Sequence, residues 1–261
     1  MTDIQISILG IVIIFVTTAL GSSLVYFFKN GISSKTNTIF LGFAGGVMVS
    51  ASFFSLLLPA IEETTGFGSF QFVPATVGFL IGGLFLVLLD KVTPHFHKGT
   101  NSEEGPHFQV KKSVRLFLAV TLHNIPEGLA VGFALGSASS GSSGASILAA
   151  LGLAIGIGVQ NFAEGAALAL PMSVTTKSRH KAFALGTLSG LVEPIFAIVG
   201  YFLASYIQSL QPWLLAFAAG AMIFVVIEDL IPDAKTEEHE HLGTWSAMLG
   251  FASMMILDVV L

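Results

Sequence analysis

Apolar residues in this chain come in long, nearly unbroken runs, and the polar residues collect in the short gaps between them. A helix crossing a bilayer needs about 20 apolar residues. Eight runs reach roughly that length: Ile4–Phe28, Thr38–Ile61, Phe72–Leu89, Leu116–Gly136, Ser146–Leu170, Ala182–Ile207, Trp213–Ile231 and Trp245–Leu261. Each is expected to be a helix, because a helix satisfies all of its backbone polar groups within the segment. The expected fold class is therefore all-α, a polytopic membrane protein of eight transmembrane helices forming one domain over residues 1–261. The first run is too long for a signal-peptide core and lacks a basic leader, so it reads as a retained span. A polar loop at about 91–112 carries His95, His97 and His107. The Ser/Gly tract from Ser137 to Gly144 reads as a flexible outer linker.

Composition strengthens this picture. Only 10% of the 261 residues are charged and 53% are hydrophobic, against about 25% charged in soluble domains. Too little polar residue remains to cover a soluble core of this size, so the surrounding medium is expected to be lipid. There is no cysteine, which excludes disulfides and thiolate metal sites. Charge placement then sets the orientation. All 11 basic residues fall in or beside the odd-numbered loops: Lys29 and Lys35; Lys91, Lys98, Lys111, Lys112 and Arg115; Lys177, Arg179 and Lys181; and Lys235. The even-numbered loops have none. The positive-inside rule places both termini outside the cytoplasm. A plasma or inner membrane is the default location, and no nucleic-acid partner is expected.

An internal repeat lies within the apolar runs. Leu41-Gly-Phe-Ala-Gly-Gly-Val-Met48 matches Leu215-Ala-Phe-Ala-Ala-Gly-Ala-Met222, and each is followed by a proline-bearing ending, Leu58-Pro59-Ala60 and Ile231-Pro232-Asp233-Ala234. The second run starts inside and the seventh starts outside, so the two copies run in opposite directions. Inverted repeats are a transporter signature. Small residues also let helices pack closely, so the motif has a purely structural use as well.

The chemistry sits in the fourth and fifth runs. His123-Asn124-Ile125-Pro126-Glu127-Gly128 and Gln160-Asn161-Phe162-Ala163-Glu164-Gly165 repeat one pattern, a polar pair followed by a glutamate and a glycine. Positions i, i+1 and i+4 share one face of a helix, so each segment aims two or three donors at one place. Glu193, followed by Pro194, lies in the middle of the sixth run. Ionisable groups at that depth are costly and are functional candidates by default. The donor set is oxygen and nitrogen without sulfur, suited to zinc, iron(II), manganese, cobalt or cadmium. Neutral amide ligands suit a site that must release its ion. Taken singly, His123 could instead be an interhelical hydrogen-bonder and Glu127 a proton relay. Glu228 and Asp229, near the inner end of the seventh run, form either an ion exit or an interface marker. Asp90 reads as interfacial, Asp258 as close to the outer surface, and His239-Glu240-His241 and the loop histidines as solvated. No HExxH pair is present for a zinc protease, and the Glu-x-x-His spacing of di-iron bundles differs. An intramembrane di-metal enzyme and a metal-gated channel remain the alternatives to a transporter.

The paired segments resemble the signature of the ZIP (Zrt/Irt-like) metal transporters, most closely the GufA branch, with HNxPEG in span 4 and QNxPEG in span 5. The resemblance covers the whole chain. It implies a 3+2+3 arrangement, spans 1–3 and 6–8 being inverted repeats around spans 4–5. It implies import of divalent metal, zinc foremost, through a binuclear mid-membrane site, without a catalytic cofactor, in a homodimer. By residue match, His123, Glu127, Gln160 and Glu164 would hold one ion. Asn124, Asn161 and Glu193 would hold the second, with Glu127 and Glu164 bridging. The chain departs from the family at Ala163, where proline is usual, and at Glu228-Asp229, where relatives often have His-Glu.

Overall fold

In the computed structural model, the described residues are 1–28, 33–92, 95–96, 103–104, 112–141, 146–234 and 241–261. They form helices: α1 (Asp3–Ser22), α2 (Ser34–Ala51), α3 (Leu58–Glu62), α4 (Phe72–Val92), α5 (Lys112–Ser139), α6 (Ile147–Thr176), α7 (Arg179–Ser189), α8 (Val192–Tyr206), α9 (Gln211–Val225), α10 (Ile231–Ala234) and α11 (Leu242–Val260). Among the described residues, seven helical stretches are long and apolar enough to cross a membrane: Asp3–Tyr26, Ser34–Glu62, Gly68–Leu89, Ile147–Thr176, Arg179–Tyr206, Gln208–Ala234 and Leu242–Val260. The expected fourth span lies on α5, whose 28 residues extend over roughly 42 Å. Among the described residues the strand structure is a two-residue antiparallel ribbon, His95–Phe96 against Glu103–Glu104. His97, His107, His239 and Glu240 lie outside the described residues, as does the side chain of Asp90.

Three expected spans are each interrupted, and proline explains where. Span 2 opens into a π-helical turn at Ser52–Leu57 and resumes as α3, with Pro59 in its first turn. Span 7 does the same at Val226–Leu230 before α10, with Pro232. A proline has no N–H to return to the carbonyl four residues earlier, and a wide turn absorbs the missing bond. The two turns fall at matching points of the Leu41–Met48 and Leu215–Met222 repeat. Span 6, expected as one helix, breaks between α7 and α8 at Gly190-Leu191, just before Glu193-Pro194.

Four helix pairings dominate the packing: α1 with α6, α5 with α8, α2 with α11, and α4 with α9. In span numbers these are 1–5, 4–6, 2–8 and 3–7. Exchanging spans 1–3 with 6–8 and span 4 with 5 turns the first pairing into the second and the third into the fourth. The close approaches rest on absent side chains. At Gly128, a Cβ would run into the Glu193 carbonyl of α8; at Gly165, into the Thr18 carbonyl of α1. Both glycines directly follow a candidate glutamate, so each lets its glutamate-bearing turn press against a partner backbone.

Candidate metal centre

The three helices that carry the candidate ligands meet through side chains. Glu127 on α5 and Gln160 on α6 are fully buried, and Gln160 Nε2 donates to Glu127 Oε1 at 2.6 Å and to Glu164 Oε1 at 3.2 Å. Glu193 is buried in the first turn of α8, where the positive end of the helix dipole favours a carboxylate. Its Oε1 accepts from Asn124 Nδ2 at 3.1 Å and from Thr18 Oγ1 at 3.0 Å; its Oε2 accepts from Asn161 Nδ2. Gly190 leaves the room for this: a Cβ there would press on the Thr18 side chain and on Glu193 Oε1. The break in span 6 is therefore part of the centre's construction.

Two adjoining groups result. One joins Glu127, Gln160 and Glu164; the other joins Asn124, Asn161 and Glu193. Glu127 lies within electrostatic reach of both Glu164 and Glu193, which links the groups. His123 is turned elsewhere, with its Nε2 3.3 Å from Asp229 Oδ2 of the π-helical turn in span 7. Asp229, expected as either an ion exit or an interface marker, is thereby connected to the motif in span 4. Its neighbour Glu228 is exposed. Asp258 accepts from Ser55 Oγ at 2.7 Å, on the other π-helical turn.

The amide orientations matter most. Asn124 also donates to the Ser189 carbonyl at 3.1 Å, and Asn161 to the Ile14 carbonyl at 3.3 Å. With the NH₂ groups so committed, the oxygens of all three amides have no donor. The buried atoms without a hydrogen-bond partner include Asn124 Oδ1, Glu127 Oε2, Gln160 Oε1 and Asn161 Oδ1. Buried polar atoms left unpaired are costly, and unpaired acceptors on the side chains that carry the candidate ligands suit a cation. Among the described residues, no three His, Asp or Glu side chains form a metal cluster by themselves. Any ion held here would be shared between carboxylate and amide oxygens.

Thr18 and the carbonyls of Ile14 and Ser189 were not singled out by the sequence. Their only signal was a threonine pair, Thr17-Thr18, in the middle of a mostly apolar first span. A single hydroxyl in a span has too many structural uses to be read as a partner of Glu193.

Comparison with known sequences finds related proteins along the whole chain. The family described as "ZIP Zinc transporter" matches residues 4–115 and 112–258. The chain is 37% identical to zinc transporter ZIP11 of Xenopus tropicalis, over 97% of this chain and 96% of the relative. It is 37% identical to zinc transporter ZIPB of Bordetella bronchiseptica, over 95% and 78%. It is 36% identical to zinc transporter GufA of Myxococcus xanthus, over 88% and 89%.

Proposed function

The chain belongs to the ZIP zinc transporter family, and from that premise we propose that it carries divalent transition-metal ions, zinc foremost, into the cytoplasm through a binuclear mid-membrane site. The carrying observation is the set of four buried oxygens without donors, on Asn124, Glu127, Gln160 and Asn161. Iron, manganese, cobalt and cadmium suit the same donors. Glu127 and Glu164 are the central ligands. Gln160 exchanges its bonds to them for one to the ion by turning its oxygen inward. Asn124, Asn161 and Glu193 hold the second ion. His123 and Asp229 stand on the release side of the first, with Glu228 beyond them.

The ion sheds water onto carboxylates whose mutual repulsion it relieves, and weak amide ligands let it leave. A cargo site must hold firmly enough to admit an ion and loosely enough to release it. The pairings 1–5 with 4–6 and 2–8 with 3–7 support eight crossings in the 3+2+3 arrangement, α5 being the fourth, within one transporter domain over residues 1–261. One-sided basic residues support termini outside the cytoplasm of a plasma or inner membrane. A homodimer is the assembly we propose. The relatives are named as transporters, which favours transport over the di-metal enzyme.

Uptake of radioactive zinc by proteoliposomes containing only this protein tests the reading. Zinc-dependent, saturable accumulation is expected. No accumulation by folded protein in either orientation overturns it, and uptake that fails to saturate indicates a channel.

A further inference from the structure

Spans 7 and 8 diverge around a cavity of about 620 Å³. Its floor is α2 at Gly45, one wall is Val226 and Leu230 of the π-helical turn, and the other is Phe251 and Ala252 of α11. The rims are exposed and apolar: Met248 of α11 is 55% exposed and Ile231 of α10 is 42% exposed. Both rims belong to stretches able to cross a membrane, where hydrocarbon is the medium that exposed apolar rims would face. In the lining, Thr244 carries the one polar side chain. Water needs two to four polar partners to stay in such a space, and an ion needs more. The size falls within the range of small-ligand sites, roughly 300–1,000 Å³.

We propose that this cavity holds one acyl chain of a membrane phospholipid, drawn from the leaflet at the end of the protein where α10 finishes at Ala234. Gly45 creates the depth. Its missing side chain leaves a wall of Val226 and Leu230, on the same turn as Asp229. A bound chain therefore packs against the turn whose acidic residue meets His123, and so steadies the contact at the release side. That consequence rests on the role proposed above for Asp229; the binding itself does not.

Photolabelling tests the binding. The full chain is reconstituted in phosphatidylethanolamine and phosphatidylglycerol vesicles containing a phospholipid with a diazirine in its acyl chain. Labelled peptides are then mapped by mass spectrometry. Label is expected to concentrate on residues 226–234 and 242–252. A Cβ at Gly45 would meet Leu230 Cβ at 3.5 Å and Val226 Cγ1 at 3.8 Å, ordinary contacts, so Gly45→Leu fills the space without striking backbone. Label there should be lost in Gly45→Leu and in Ala252→Leu, which fills it from the other wall. Label on α4 around Leu80 and Leu84, which are 64% and 55% exposed, should persist and reports an intact lipid-facing surface. Even labelling of all lipid-facing helices in the unmodified protein overturns the proposal. So does label retained at the cavity in both filled variants, or a cross-link there to a second copy of the chain. The readout needs no metal, so it stands or falls separately from the transport assay.

Discussion

Glu127 keeps one carboxylate oxygen buried and without a donor while the other is held by Gln160. A carboxylate so placed binds a cation through charge as well as geometry, because Coulomb attraction is strongest where water is excluded. Glu127→Gln preserves shape and removes that charge, and Glu164→Gln does the same across the site. Each is expected to reduce zinc uptake more than about tenfold, since even outer-shell changes at metal sites cost that much. Bound zinc and uptake measured on the same purified variants check this; unchanged values in both would move the site elsewhere. Thr18 is a positioning residue for Glu193. Thr18→Val removes a hydrogen bond to a carboxylate, a loss of about 1.5–3 kcal/mol, and is expected to raise the KM for zinc roughly tenfold or more with little change in maximal rate. Thr18→Ser should restore it. A hydroxyl that only packs would show no such rescue.

The wide turns and the helix break are positioned by prolines, and they do different work. The break before Val192 gives Glu193 a helix N-terminus to sit on. The turns in spans 2 and 7 each carry a polar contact to another helix, Ser55 to Asp258 and Asp229 to His123. The end of α3 has its own consequence. Burial pushes the Glu63 carboxyl, just past that helix, up to about 7. A raised acid favours the folded state when protonated, so its contribution is full below the ordinary carboxylate range and is lost as pH rises through about 7. The thermal midpoint in detergent is therefore expected to fall between about pH 5 and about pH 8, and Glu63→Gln should flatten that fall. An equal fall in the variant would assign the pH dependence to other groups.

At the scale of the molecule, the swapped pairings and the one-sided charge support the inversion and the orientation proposed above. Orientation is testable without a functional assay. Cysteines introduced by Ser102→Cys and Ser142→Cys, in a chain with none of its own, are probed with an impermeant thiol reagent on intact cells. Labelling at 142 with protection at 102 is expected. The reverse pattern would place the termini in the cytoplasm.

Much of this was legible without coordinates because the relevant physics is local or one-dimensional. The apolar runs announced the spanning helices, and the spacing of Gln160 to Glu164 the face on which those two side chains meet. The matched prolines after both repeat copies also stood in the chain, but not the π-helical turns they permit. Tertiary structure decided what depends on partners far apart in sequence. It sent the NH₂ groups of Asn124 and Asn161 to the carbonyls of Ser189 and Ile14 and left their oxygens bare. It brought Thr18 to Glu193 across 175 positions and drew His123 toward Asp229. A hydrogen-bond direction and a backbone approach at Gly128 or Gly165 are settled only by the neighbouring helix, and no periodicity along one chain records which neighbour that is.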